Sequence, residues 1–312
     1  MSRHVPVLLN EVVDSLNLKA GSNVVDCTLG DAGHSEAILE KTGPNGMLLG
    51  IDADVEAILR AKQYLYRFED RVIFVRDNFA NLKSIIEENK FEPVNGILMD
   101  LGWSSPQFEE RGRGFSFQNV DEGLDMRYDA NSQLSIYNFQ NPSAADLLNN
   151  LKGHELEKIF KEYGEENLSK EIVNAILEAR ESSQGGIEKV GNLVEIILQT
   201  YRQKLKTDRE VPWVGGLHPA TKVFQALRIA VNDELGVIER SLPLAIDCLA
   251  SGGRLAVITF HSLEDRIVKH YFKSQENKTI RIITKKPINC SEEEQATNPR
   301  ARSAKLRVVE KI

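Results

Sequence analysis

Cysteine is scarce. Cys27, Cys248 and Cys290 are odd in number and widely separated, and no CxxC or other metal-finger spacing occurs. That excludes a disulfide framework and a zinc finger. The six histidines show no HExxH or comparable pair, so no metal site is expected. Long apolar runs are missing too: none approaches the length of a membrane span. The opening "MSRHVPVLLNEVVDSL" breaks its apolar run at Asn10 and Glu11, which is wrong for a signal peptide. A cytoplasmic, reducing location is the expectation. Positive charge is not in excess, since the net charge is -7. Any contact with nucleic acid must then come from a local patch rather than from a basic coat. There is no internal repeat or low-complexity tract. What remains is ordinary for a soluble enzyme: 312 residues, 41% hydrophobic and 27% charged, enough for one large domain or two smaller ones.

The first hundred residues alternate in character. Short apolar segments at 24–27, 47–51, 72–75 and 96–101 are separated by helix-like stretches at 35–40, 53–68 and 82–89. This alternation predicts βαβ units, a parallel sheet and right-handed crossovers. From about 109 to about 215 no strand is evident, only a polar loop followed by amphipathic helices. Ser143 with Asp146 resembles a capping box, although Asp stands where Glu or Gln is preferred. Leu147, Leu148, Leu151, Ile159 and Phe160, then Ile172, Val173, Ile176 and Leu177, follow helical spacing. Strand patterns resume with "GGRLAVITFHS", "IRIITKK" and "AKLRVVEKI". One α/β sheet interrupted by a helical insertion is the simplest account: 1–108 and 216–312 form the sheet domain, 109–215 the insertion.

The strand ends carry the chemistry. "VVDCTLGDAGHS" is a strand, an acid and two glycines before a helix, the way a backbone approaches a nucleotide-like ligand. Gly30 and Gly33 make only GxxG, so the dinucleotide fingerprint GxGxxG is absent. The next strand ends "GIDAD", where Asp52 is placed to accept both hydroxyls of a ribose. "RDNF" follows the third strand, and Phe79 can stack on an adenine. A glycine turn alone is often only a turn; in order at successive strand ends, these signals favour S-adenosylmethionine over a dinucleotide. The fourth strand ends at Asp100 and breaks into "LGWSSPQF". "SSPQF" resembles a degenerate form of the Asp/Asn/Ser-Pro-Pro-aromatic motif of enzymes that methylate exocyclic amines. Ser104, Ser105 and Pro106, with Asp100, are the candidate catalytic group. Hydrogen-bond acceptors there draw the flat amine out of conjugation and free its lone pair for attack. Ring-carbon methylation would want a nucleophilic cysteine near this turn, and 96–117 has none.

Taken together, "HVPVLLNEVV", "DCTLGDAGHS", "GIDAD", "DLGWSSPQ", "RGFSF", "LDMR", "YGEE", "HPATKVFQALRIAVNDEL", "FHSLEDRIVK" and "NPRARSAKLRV" resemble the RsmH (MraW) family. Its members are bacterial methyltransferases acting on the N4 amine of a decoding-region cytidine in 16S rRNA. The motifs run from His4 to Val308. The resemblance implies a Rossmann-like S-adenosylmethionine-dependent methyltransferase sheet with an inserted α-helical domain for substrate recognition. It implies cofactor contacts at Ala32, Gly33, His34, Asp52, Phe79, Asp100 and Gln107. The implied partner is 16S rRNA within an assembling small ribosomal subunit, with no membrane. Ala32 departs from the family's usual glycine, and alanine resists positive φ. Trp103 and Tyr128 depart as well, with no mechanism attached.

Other candidate RNA contacts have plainer explanations beside them. On the helix of "HPATKVFQALRIAVNDEL", Val223, Leu227, Val231 and Leu235 form a core stripe, and Gln225, Arg228 and Asn232 share another face. That face is either solvated or turned to substrate. His261 follows a strand and is either structural or a substrate contact. His34 opens the first βα helix, where its backbone rather than its ring can serve the cofactor. From Arg266 to Ile312 there are 12 Lys or Arg and 5 Asp or Glu, a local charge of +7 (12 − 5). Arg300 and Arg302 are candidates for phosphate contacts, the alternative being a solubilising basic edge strand. Two readings of other classes compete with the methyltransferase. A nucleoside-binding regulator would keep the pocket without transfer, and the retained "DLGWSSPQF" argues against it. A nicotinamide oxidoreductase is disfavoured by the missing GxGxxG.

Overall fold

A computed structural model of the chain describes residues 5–101, 112–130, 135–182, 186–207, 209, 211 and 216–312. Backbone proximity divides the chain into two compact units. One is Met1–Trp103 with Leu235–Ile312, the other Ser104–Glu234.

The first unit is built on a seven-stranded sheet. Its strands are β1 (Val24–Asp26), β2 (Leu48–Asp52), β3 (Val72–Arg76), β4 (Val94–Asp100), β7 (Leu249–Thr259), β8 (Ile280–Ile282) and β9 (Lys305–Lys311). The spatial order is β3-β2-β1-β4-β7-β9-β8. The first five positions are parallel, while β9 runs antiparallel to β7 and to β8. Strand order reverses between β1 and β4, and the carboxyl ends on either side of such a reversal are where an open α/β sheet binds ligands.

Helices cover both faces, which is why the strands read as nearly continuous apolar runs. Successive side chains point to opposite faces. Val24, Leu48 and Leu98 therefore pack with α1 (Leu9–Ser15), α2 (Gly33–Thr42) and α3 (Val55–Tyr64), through Val12, Ile38 and Ile58. Val25, Leu49 and Ile97 pack with α4 (Leu82–Glu88), α10 (Glu234–Cys248) and α11 (Ser262–Gln275), through Ile85, Leu242 and Val268. A last short helix, α12 (Glu292–Thr297), precedes the 3-10 turn Pro299–Ser303 and β9. The basic final strand is not an edge: β9 lies between β7 and β8, and its Arg307 is buried against Asp265 at 2.6 Å. Edge protection therefore does not account for its charges.

The second unit is mainly helical: α5 (Ala144–Asn150), α6 (Gly153–Glu162), α7 (Ser169–Ser182), α8 (Val190–Leu205) and α9 (Thr221–Asn232). The capping box at its start is complete despite the Asp. Ser143 Oγ accepts from the Asp146 N–H at 3.1 Å, and Asp146 Oδ2 accepts from the Ser143 N–H at 2.8 Å. Of the spaced apolar positions, Leu147, Leu148, Leu151, Ile159, Phe160, Ile172, Val173 and Ile176 are buried, and Leu177 is half-buried. Two features differ from the sequence reading. A two-stranded hairpin, β5 (Ser135–Ile136) with β6 (Phe139–Gln140), lies inside the stretch expected to lack strands. Strands of two residues carry no alternation; the hairpin depends on Tyr137 and Asn138, whose φ of 50° and 65° suit a two-residue turn. The unit also extends past residue 215 to take in α9, because α9 packs on α5 and α6.

Candidate active site

Three acids end the three central strands: Asp26 on β1, Asp52 on β2 and Asp100 on β4. Each organises the loop after its own or a neighbouring strand. Asp26 is buried, and burial raises its pKa. Its Oδ2 accepts from Ser35 Oγ at 2.6 Å and its Oδ1 from the Thr28 N–H at 3.1 Å, tying the β1 turn to the start of α2. Thr28 Oγ1 in turn accepts from the Asp100 N–H at 2.8 Å, fixing the end of β4 against β1.

Asp52 holds two backbone donors. Its Oδ2 accepts from the Gly30 N–H and its Oδ1 from the Asp54 N–H, each at 2.9 Å. Burial pushes its pKa up to about 6, against the lowering by those two hydrogen bonds. Each oxygen keeps a lone pair, so the carboxylate can still accept from vicinal hydroxyls. Gly30 has φ of 50°, a left-handed conformation that glycine adopts without steric cost.

Ala32 adopts the conformation that its side chain resists. It caps α2 with φ 57° and ψ 28° and is fully buried. That geometry costs about 1–2 kcal/mol for a residue with a Cβ, so the loop keeps the backbone that glycine would favour. Gly33 is a glycine for a different reason: a Cβ there would lie 2.9 Å from the Pro6 ring. Pro6 therefore packs on the loop after β1, and the Val7 carbonyl accepts from His34 Nε2 at 2.9 Å. The other ring nitrogen of His34, Nδ1, lies 3.8 Å from Asp100 Oδ2.

Phe79 follows β3 on a 3-10 turn, half-buried on the α4 side of the sheet. The Asp77 N–H donates to the Asp52 carbonyl at 3.1 Å, which sets this turn beside the β2 end. His261 follows β7 and caps α11; its partner is Glu264. Glu264 Oε2 accepts from the N–H groups of Phe260 (2.7 Å) and His261 (3.3 Å), and its Oε1 is 3.0 Å from His261 Nε2. Arg302 is exposed and Arg300 half-buried on the turn before β9.

The sheet unit therefore gathers Ala32, Gly33, His34, Asp52, Phe79, Asp100 and His261 at its carboxyl edge. Ser104, Ser105, Pro106 and Gln107, with Trp103, lie outside the described residues. Gln225, Arg228 and Asn232 belong to the helical unit, and their side chains are engaged there. Gln225 Nε2 donates to the Tyr163 carbonyl at 3.1 Å, and Arg228 Nε lies 2.8 Å from Glu234 Oε1. Asn232 Oδ1 accepts from the Tyr128 N–H at 2.8 Å, and its Nδ2 donates to the Met126 carbonyl at 2.8 Å. This face is thus neither simply solvated nor open; its Asn232 holds the 126–128 segment. Tyr128 gains a role, its hydroxyl donating to Glu234 Oε1 at 2.6 Å.

Sequence reasoning did not single out Thr28, Ser35, Pro6 or Val7; Glu264 was legible beside His261 and Asp265 after the strand, as the third residue of a cap beginning at His261. Cys27, next to Asp26, is buried, and burial pushes its thiol well above the ordinary range. A neutral buried thiol is not a nucleophile.

A mostly parallel sheet with acids ending β1, β2 and β4 and a left-handed turn after β1 is the architecture of a Rossmann-like methyltransferase. The sequence comparison makes the assignment definite: the model of the MraW methylase family matches residues 1–312, and the chain belongs to that family. Its methyl donor is S-adenosylmethionine. Among its relatives are proteins named "Ribosomal RNA small subunit methyltransferase H". That of Clostridioides difficile is 43% identical, covering 99% of each chain. That of Dictyoglomus thermophilum is 44% identical, covering 99% of this chain and 97% of its own. A solved Clostridium thermocellum structure described as a putative rRNA-methylase aligns with TM-score 0.46 and 14% identity, over 99% of this chain and 100% of that one.

Proposed function

We propose that this chain transfers the methyl group of S-adenosylmethionine to the exocyclic N4 amine of a cytidine in the decoding region of 16S rRNA. Near full-length relatives at 43–45% identity, named for the small-subunit RNA, support the substrate. The N4 position is what the family resemblance implies. The observation that carries the chemistry is the pairing of Asp100, half-exposed at the central strand end, with the buried and neutral Cys27. In this reading Asp100 takes the proton of the amine, and the buried neutral thiol does not attack a ring carbon.

In this reading Asp52 accepts the ribose hydroxyls and Phe79 flanks the adenine. The turn from Gly30 to His34 lies against the rest of the cofactor, with Gln107 a further contact. The donor supplies a methyl carbon already activated by a sulfonium, so the protein's task is placement. Asp100, with Ser104, Ser105 and Pro106 following it, receives the amine. The helical unit recognises the RNA, and Arg300 and Arg302 hold phosphates without reading sequence. His261 is the remaining candidate contact on the sheet side. Substrate within an assembling small subunit, in the cytoplasm, completes the proposal. Among the described residues, no helix is long and apolar enough to cross a membrane.

The test is mass mapping of methylated nucleosides in 16S rRNA from cells with and without the protein. Loss of one N4-methylcytidine is the expected result. Loss of a ring-carbon methyl instead, with N4-methylcytidine retained, would overturn it.

A further inference from the structure

We propose that His34 is a positioning residue for the reaction, its Nδ1 turned to Asp100 so that it relieves that carboxylate of the proton released by amine methylation. The inference rests on the amine chemistry above.

The tautomer follows from the geometry. Nε2 lies 2.9 Å from the Val7 carbonyl oxygen, and a carbonyl only accepts, so Nε2 carries the hydrogen. In the neutral ring the lone pair is then on Nδ1, which faces Asp100 Oδ2 at 3.8 Å. Two acceptors without a proton between them repel, which accounts for a spacing too long for a hydrogen bond. One proton placed there would turn the gap into a charge-assisted hydrogen bond. The ring is buried, so it has no competing route to solvent through its own exposed surface. Its surroundings suit a transient cation: Asp100 faces it from β4, and a positive charge on His34 also acts favourably on the buried Asp26 carboxylate at the β1 end.

The step balances. The amine nitrogen forms its bond to the methyl carbon as the carbon–sulfur bond breaks, that electron pair remaining on sulfur. The nitrogen then carries a surplus proton; its N–H bond breaks and the proton passes to Asp100 Oδ2. His34 Nδ1 takes the proton from Oδ2, regenerating the carboxylate while the product is still bound. It returns through Asp100 to solvent after release.

His34→Gln separates this role from a structural one. The glutamine Nε2 can still donate to the Val7 carbonyl, but nothing basic remains where Nδ1 stood. The expected result is a roughly tenfold or greater fall in kcat at saturating donor. Donor affinity by calorimetry should stay within about twofold, so that the loss falls on kcat and not on binding. Nitrogen-15 NMR of the resting wild-type protein should show Nε2 protonated and Nδ1 bare. Unchanged kcat would overturn the proposal, as would donor affinity falling in step with activity. An Nδ1-protonated resting tautomer would overturn it without any variant. Absence of amine methylation by the wild type is a different result, and it would remove the proposed function itself.

Discussion

The raised pKa of Asp52 makes donor binding depend on pH in a calculable way. The free protein holds this carboxyl at a pKa of about 6, against an ordinary 3.8, because burial penalises its charge. The sign for folding follows: the group's contribution to stability is fully present below about 4 and is lost as pH rises through about 6. Donor binding runs the other way, because two ribose hydroxyls need an ionised acceptor. At pH 5 the free site is about ten parts protonated to one ionised, so the dissociation constant should rise about tenfold between pH 8 and pH 5, or about 1.4 kcal/mol. Calorimetric titration with S-adenosylmethionine across that range reads it directly, in a series of buffers so that proton uptake is counted too. Asp52→Asn should bind more weakly at every pH, by about 1.5–3 kcal/mol for each charge-assisted hydrogen bond lost. It should also lose the dependence below pH 6. Since the Gly30 and Asp54 amides both donate to this carboxylate, the asparagine oxygen can serve only one of them. Circular dichroism must therefore confirm a folded variant. Equal affinity at pH 5 and pH 8 in the wild type would refute the reasoning, as would a retained pH dependence in Asp52→Asn.

Four further perturbations test the same loop and the tail. Ala32→Gly should raise stability by about 1 kcal/mol in thermal unfolding, since it removes left-handed strain of about 1–2 kcal/mol at some entropic cost. Gly33→Ala should do the opposite by about 1–3 kcal/mol, the new methyl meeting the Pro6 ring; identical unfolding curves would mean that the Pro6 segment does not pack on the loop. Cys27→Ala should keep most methyl-transfer activity, measured with radiolabelled donor, and activity lost with donor binding intact would revive a covalent route. Arg300→Ala with Arg302→Ala should weaken RNA binding, reduce the log–log salt slope by about 0.7 per lost phosphate contact, and leave donor affinity unchanged. An unmoved slope and affinity would return this turn to a purely structural role.

Much of the fold was legible in the sequence for a simple reason. Strands buried on both faces must be apolar along their length, and acids cannot sit in their middles, so Asp26, Asp52 and Asp100 mark strand ends before any coordinates exist. The βα spacing of the first hundred residues determined a parallel sheet, and helical spacing from 143 to 177 determined an inserted helical block. Cofactor candidates followed from those strand ends, because ligands of such sheets gather there. Tertiary structure decided what spacing does not encode. It set β9 between β7 and β8, since an antiparallel final pairing depends on which neighbour is free rather than on local pattern. It turned the polar face of α9 inward to hold the 126–128 segment, because Asn232 meets Tyr128 only through contacts more than a hundred positions apart in the chain. It held Ala32 left-handed where its own preference says otherwise. And it brought Val7, His34 and Asp100 into one line, from three segments that share no local signal, because the N-terminal segment folds back over the start of α2.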